Sequence, residues 1–181
     1  MRNPLLFLVK TLSELYLLTF LLRFILQWVR ADFYNPFSQF IIRITDPLVV
    51  PARRIVPRRG KFDIPSLVVL SILQVAATWL ILELAGFSLP PDQFIYVVIL
   101  RLISLALWLY TIAIFAYVIL SWIAQAHYSP IAMILGQIVG PVLRPVRRIL
   151  PPIAGLDLSP LVVLIVIQAL AIALPLPALL R

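Results

Sequence analysis

Cysteine is absent from the 181-residue chain, and histidine occurs once, at His127. Without cysteine the chain forms no disulfide, no thiolate metal site and no covalent haem attachment, and one histidine cannot supply both axial ligands of a haem. The sequence also lacks a phosphate-cradling glycine loop and a nucleophile–base set. We therefore expect no catalytic residue, no metal and no cofactor, and we predict that the protein is not an enzyme.

Charged side chains are also scarce, at 12% of the residues, whereas hydrophobic residues make up 63%. A soluble domain typically has about 25% charged and about 45–50% apolar residues. A membrane-spanning helix needs about 20 mostly apolar residues. Stretches of sufficient length occur at 5–29, 64–86, 94–123 and 158–180. Composition and spacing predict an all-α integral membrane protein with four transmembrane helices.

Most of the basic residues, which give the chain a formal net charge of +8, lie in two segments beside apolar stretches. Seven of them occur within 30–61, and none occurs in the connector at 87–93. Lysine and arginine are enriched in cytoplasmic loops. We therefore predict a multi-pass membrane protein, with the basic segments in the cytoplasm and the connector and both termini outside. The expected partner is the bilayer and its anionic headgroups, not nucleic acid.

The second half of the sequence repeats the first at a constant offset of 94 residues. Apolar bias alone would not align prolines, an arginine pair and an aspartate. The sequence therefore predicts a first repeat at 1–86, an outer connector at 87–93 and a second repeat at 94–181. Because each repeat crosses the bilayer twice, the repeats are expected to be parallel. The aligned residues include Pro47, Pro51, residues 53–55, Pro57 and Asp63 with Pro141, Pro145, residues 147–149, Pro151 and Asp157.

Each repeat carries a basic, proline-rich loop between its two spans. Apolar residues at i, i+3, i+4 and i+7 after Pro36 and Pro130 predict a short amphipathic helix of about ten residues, lying at the headgroups or packed against the spans. Three prolines follow within the eleven positions 47–57, and again in the second repeat. Proline lacks an N–H group and disfavours helix at the residue before it. We therefore predict a turn or a broken re-entrant segment there.

Several arginines in these loops are candidates for binding anionic lipid headgroups or an acidic partner surface. The alternative is that they only anchor the topology. The candidates are Arg53, Arg54, Arg144, Arg147 and Arg148.

Asp63 and Asp157 precede the second span of their repeats. We expect each aspartate to be an N-cap, with a carboxylate that accepts backbone N–H groups of the following helix. A role as an ion or proton ligand is the alternative.

Charged residues also occur inside the apolar stretches, and Lys10, Glu14 and Arg101 are the candidates for intramembrane sites. Glu14 is expected near the bilayer midplane, where a carboxylate costs about 2.5–3.5 kcal/mol or more. We predict that Glu14 contacts Lys10 or Arg101, either as a structural pair or as part of a proton or cation relay. Arg23 and Arg101 are expected to reach the membrane interfaces through their long side chains.

The repeated unit W-x5-Y-x-P, P-x3-P-x-RRI-x-P and D-x-[SP]-[SP]-LVVL resembles the YggT family of small membrane proteins. The resemblance covers most of the chain and implies the two-unit, four-span form, located in the bacterial inner membrane. Members of that family have been connected with osmotic-shock tolerance and ion homeostasis, others with cell division or nucleoid organisation, and plastid relatives with cytochrome assembly. The resemblance implies no catalytic residue.

These observations favour a non-enzymatic membrane scaffold or accessory factor, which the resemblance connects with osmotic-shock tolerance or ion homeostasis. It would act within a membrane-protein complex or a homo-oligomer. The alternatives are a channel or transporter component with Glu14 in a polar path, or an assembly factor for a membrane cytochrome or division complex.

Overall fold

A computed structural model describes residues 4–56, 62–123, 129–150, 157–177 and 180. His127, Pro57 and Pro151 lie outside the described residues. The described part contains six helices, and the predicted all-α class is confirmed. The helices are α1 (Pro4–Trp28), α2 (Pro36–Ile55), α3 (Ile64–Leu84), α4 (Pro91–Trp122), α5 (Pro130–Ile149) and α6 (Ser159–Ala173).

Three helices are long and apolar enough to cross a membrane. Mean hydropathy is 1.8 in α1, 2.1 in α3 and 2.3 in α4. The fourth predicted span, 158–180, is helical only to Ala173, which leaves a 15-residue apolar helix. It stops there because Pro175 disfavours helical geometry at Leu174 and contributes no N–H group. Leu174 accordingly adopts an extended conformation, with φ −65° and ψ 123°.

The two halves of the chain show the same pattern of helix contacts. In the first half α1 packs against α2 and α3, and α2 against α3; in the second, α4 packs against α5 and α6, and α5 against α6. The halves meet through α1, α3 and α4 and through α2 with α5. The Asn35 side chain helps to join the last pair, because its Nδ2 donates to the Pro130 carbonyl at 2.7 Å.

The main core is a single cluster of buried apolar side chains drawn from all six helices. These side chains pack closely against one another, and a closely packed interior tolerates few voids. The packing therefore fixes the helices relative to one another. The largest fully buried members are Phe20, Leu17, Leu26, Leu70, Ile114, Ile134, Ile138 and Leu143.

The prolines of each basic segment were predicted to interrupt the helix. This prediction is wrong at the first two prolines of each segment. Helix α2 continues through Pro47 and Pro51, and α5 continues through Pro141 and Pro145. Each interior proline removes one i→i−4 hydrogen bond. Because the prolines are four residues apart, both rings of a pair lie on one helix face. That face is exposed in both helices, so the carbonyl groups that lose a partner remain accessible to other donors.

The opposite face of these helices holds them in place. Val49 of α2 and Leu143 of α5 are completely buried. Each helix ends at the isoleucine of its Arg-Arg-Ile triplet, and the next residue, Val56 or Leu150, is extended. Those residues precede Pro57 and Pro151, which explains the end point. Where a helix of about ten residues and then a turn or broken segment were expected, each half therefore has one 20-residue amphipathic helix that ends two residues before the third proline.

Candidate functional site

An ion pair joins the end of each amphipathic helix to the start of the next helix. In the first half Arg53 Nη2 lies 3.5 Å from Asp63 Oδ2, and in the second Arg147 Nη2 lies 2.8 Å from Asp157 Oδ2. One arginine of each Arg-Arg pair is therefore held by an aspartate ten residues later. This contact fixes how the amphipathic helix leads into α3 or α6.

The first half contains a second cation at the same place, Arg23, and this one is buried. The Arg23 side chain is 4% exposed, and its Nη1 lies 2.8 Å from Asp46 Oδ1. The same Nη1 donates to Thr45 Oγ1 at 2.6 Å, and Nε lies 3.6 Å from Asp63 Oδ2. The Arg23 side chain therefore ends in a buried ion-pair cluster, and its expected reach to the membrane interface stays a prediction. The carboxylates of Asp46 and Asp63 compensate its charge.

Sequence reasoning missed this cluster, although a signal was present. At the offset of 94, Arg23 aligns with Tyr117 and Asp46 aligns with Gly140. One cation and one anion are therefore both absent from the second half, which keeps its cluster neutral. In their place Arg147 Nη2 donates to the Tyr117 hydroxyl at 3.4 Å. A paired loss of opposite charges between repeats indicates that the two residues touch.

The two aspartates differ from simple N-caps. Asp63 occupies the N-cap position of α3 and is completely buried, but its side chain makes no capping hydrogen bond. The expected capping bond is absent because the carboxylate faces the arginines, and its Oδ2 accepts from Ser66 Oγ at 2.7 Å. Asp157 does accept a backbone donor, the Ser159 N–H at 3.0 Å, although the N-cap position of α6 is Leu158.

The electrostatics of the second pair follow from these contacts. Burial alone would raise the pKa of Asp157, but hydrogen bonds from Ser159 and Arg147 outweigh it and hold that pKa below its usual value. Burial would likewise lower the pKa of Arg147, whereas its bonds to Tyr117 and Asp157 raise it. Both groups are therefore charged at neutral pH, and each stabilises the charge of the other.

The second arginine of each pair is exposed. Arg54 and Arg148 project from the helix ends beside Ile55 and Ile149, which are 84% and 83% exposed. Arg144 is exposed one turn earlier on α5. Among the described residues, Arg54, Arg144 and Arg148 have no ion-pair partner. The five candidate arginines thus divide into two that hold the helix ends together and three that face outward.

A separate polar cluster lies within the apolar helices. Arg101 of α4 is 4% exposed, and its Nη2 lies 3.2 Å from Glu14 Oε1 of α1. The predicted contact between Glu14 and Arg101 is confirmed. The expectation that Arg101 reaches outward to the interface is wrong, because the guanidinium instead bonds Glu14 and donates from Nη1 to Thr78 Oγ1 at 3.0 Å. Lys10 lies one turn before Glu14 on α1 and is partly buried.

This cluster borders a cavity of about 280 Å³ between α1, α3 and α4. Thr78 donates to the Gln74 carbonyl at 2.7 Å, and Gln74 Nε2 lies 3.5 Å from Thr78 Oγ1. Gln74 is 2% exposed, and its side-chain Oε1 receives no hydrogen bond from the described residues. The lining residues are Glu14, Gln74, Arg101, Ser104, Leu105, Trp108 and Leu180.

Metal coordination finds no support in the described ranges, which contain no group of three or more histidine, cysteine, aspartate or glutamate residues placed to hold an ion. Among the described residues, the two clusters offer hydrogen-bonding and charged groups.

The fold and its charged clusters define an all-helical protein with three apolar helices of membrane-spanning length. The chain belongs to the CCB3/YggT family, whose model matches it twice, at residues 2–84 and 96–178. The two matches are offset by 94 residues, since 96 − 2 = 94, and they fit the two-repeat form.

Three bacterial relatives are similar over most of their length. A protein of Pseudomonas aeruginosa is 45% identical over 86% of this chain and 80% of its own. The YggT protein of Escherichia coli strain K12 is 36% identical over 93% of this chain and 87% of its own length. A protein of Vibrio alginolyticus is 41% identical over 92% of this chain and 90% of its own length. None of these names states an enzymatic activity. No solved structure matches the chain significantly.

Proposed function

We propose that the chain is a four-span protein of the bacterial inner membrane, built from two parallel repeats. Helix α6 packs against α4 as α3 packs against α1, which supports a spanning role for α6 despite its length. Fifteen helical residues extend about 22 Å of a bilayer thickness of about 30 Å, and the apolar residues that follow Ala173, where the Leu176 N–H donates to the Leu174 carbonyl at 2.8 Å in a turn, complete the segment. Leu176 and Leu180 are buried against Ile81 and Leu100.

In this arrangement the ends of α2 and α5 lie at the cytoplasmic face, and the connector and both termini lie outside. The distribution of basic residues supports that orientation. Arg54 and Arg148 then reach lipid phosphates, while Ile55 and Ile149 enter the acyl region beneath them. Arg144 adds a third cation beside α5.

We propose that the protein acts without catalysis, as a scaffold or accessory factor anchored to anionic lipid at these two helix ends. One observation carries the proposal. In both halves, an arginine that is paired with an aspartate is followed by an exposed arginine and an exposed isoleucine. The family resemblance suggests osmotic-shock tolerance or ion homeostasis as the process that is served.

The test compares Arg54→Gln/Arg148→Gln with Arg30→Gln/Arg43→Gln, which removes the same charge from exposed positions elsewhere in the first half. Tryptophan quenching by brominated phosphatidylglycerol, relative to brominated phosphatidylcholine, measures the preference for anionic lipid in nanodiscs. We expect the preference and the survival of osmotic shock to fall in the first variant and to change little in the second. Unchanged quenching and survival in Arg54→Gln/Arg148→Gln would rule the proposal out.

A channel or transporter component is the second candidate, and the contact between Glu14 and Arg101 beside a cavity favours it. In that case the purified protein in liposomes should move protons or K⁺, and Glu14→Gln should reduce the flux. Sealed vesicles with no flux above the protein-free baseline would exclude this candidate.

A further inference from the structure

The wall of the cavity between α1, α3 and α4 includes four polar or charged residues at a depth where lipid-facing side chains are apolar. Glu14 is the eleventh of the 25 residues of α1, and Gln74 is the eleventh of the 21 residues of α3. Both are therefore far from the helix ends. A polar wall at such a depth is unfavourable unless a function or a bound molecule compensates it.

The two charged groups in the wall have unused bonding capacity. A guanidinium carries five N–H donors, and the described contacts of Arg101 use Nη1 toward Thr78 and Nη2 toward Glu14. The Glu14 carboxylate accepts one of these bonds, through Oε1, and its side chain is 34% exposed. A molecule in the cavity could therefore bond the guanidinium and the carboxylate without separating them.

The net charge of the wall limits what that molecule is. Glu14 and Arg101 carry opposite charges, so an occupant with net charge would leave an uncompensated charge in a medium of low dielectric constant. We infer that this cavity binds a small zwitterion, a molecule with one ammonium group and one carboxylate. Its carboxylate would bond Arg101 and its ammonium group would bond Glu14, which leaves the site neutral.

Other residues of the wall fit the same class of molecule. Gln74 Oε1 is an acceptor that no described donor satisfies, and an ammonium group supplies N–H donors. The indole of Trp108 lines the cavity and can lie against a cationic amine. Leu105 and Leu180 provide apolar contact for the carbon chain between the two charges. This inference is independent of the lipid-anchoring proposal and of any flux across the membrane.

Because the chain has no cysteine, one introduced thiol reports on the cavity without background. Ser104→Cys places a thiol of similar size in the wall, and Ile103→Cys places one at a neighbouring position outside the lining, where the side chain is 43% exposed. The rate of modification by a small thiosulfonate reagent is measured in phosphatidylcholine nanodiscs. The probes are glycine, β-alanine and γ-aminobutyrate, with butylamine and butyrate as singly charged comparators.

We expect at least one zwitterion to slow modification at Ser104→Cys about tenfold when present at ten times its Kd. Ile103→Cys should show no protection, and neither comparator should protect either site. Thermal unfolding of the unsubstituted protein provides a second readout, and the protecting zwitterion should raise its Tm. The inference is overturned if butylamine or butyrate protects equally well, or if the thiol at position 104 reacts and no zwitterion protects it. It is also overturned if the thiol at position 104 is unreactive or if the Tm stays unchanged.

Discussion

Arg147 Nη2 and Asp157 Oδ2 lie 2.8 Å apart and connect the end of α5 with the residues that begin α6. The equivalent contact in the first half joins Arg53 to Asp63. Each arginine therefore fixes the end of its amphipathic helix relative to the next helix. This assigns a structural role to one member of each Arg-Arg pair, whereas its neighbour is exposed.

Because of Asp157, the free energy of unfolding should decrease at acid pH. Its pKa is lowered in the folded state, so its contribution is complete above the unfolded value of about 3.9 and is lost as the pH falls below it. We expect unfolding in detergent to show a loss of about 1 kcal/mol from this group over that range, since the pair is partly exposed. Asp157→Asn should lack this component. An identical acid dependence in the variant would contradict the assignment.

The cluster around Arg23 should respond to paired substitution. Arg23→Tyr leaves Asp46 without its described cation and the buried Asp63 with Arg53 alone, and loss of one partner from a buried pair costs about 3–5 kcal/mol. Arg23→Tyr combined with Asp46→Gly introduces the residues of the second half, so we expect it to be less destabilising than Arg23→Tyr alone. Free energies of unfolding in a double-mutant cycle measure this coupling. Strict additivity of the two changes would show that the residues do not interact.

Glu14 and Arg101 should behave as a unit. Glu14→Gln leaves the guanidinium of Arg101 without its described counter-ion, and we expect destabilisation of about 3 kcal/mol. Glu14→Gln with Arg101→Gln removes both charges and should recover part of that loss. Glu83→Gln, at an exposed position of α3, serves as the control and should have little effect. If Glu14→Gln is as mild as the control in denaturant titration, the pair is not structurally important.

The continuous helix α2 makes a prediction for its interior prolines. Pro47→Ala restores an N–H donor within a helix that already passes through this position. We expect the helix content from circular dichroism to stay unchanged and the stability to stay equal or rise. A hinge at Pro47 would instead give a clear gain in helix content on substitution, and that result would contradict the continuous helix.

Several features could be predicted from the sequence because they depend on composition and periodicity. Apolar stretches located α1, α3 and α4, and the unfavourable placement of Glu14 indicated that a cation must be near. The continuous path of α2 was harder to foresee, because a proline is usually a helix breaker. Only the structure shows that Pro47 and Pro51 share an exposed face while Val49 is buried on the other.

The sequence also could not predict the directions in which long side chains point. Arg23 and Arg101 have enough reach to extend either to an interface or toward the protein, and the sequence does not say which carboxylate is close. Asp46, Asp63 and Glu14 come near only when separate helices pack. Tertiary contacts of this kind decide the roles of the charged residues, and local pattern cannot supply them.

The arrangement of four spans with both amphipathic helix ends on one side is tested most directly by cysteine labelling. Single cysteines replace Arg54, Arg148, Ser88 or Pro177 in the cysteine-free chain, and intact cells whose outer membrane has been removed are treated with an impermeant maleimide. The account predicts that positions 88 and 177 react at once and that positions 54 and 148 react only after the membrane is permeabilised. Labelling of position 54 or 148 from outside, or protection of position 177 until permeabilisation, would contradict it.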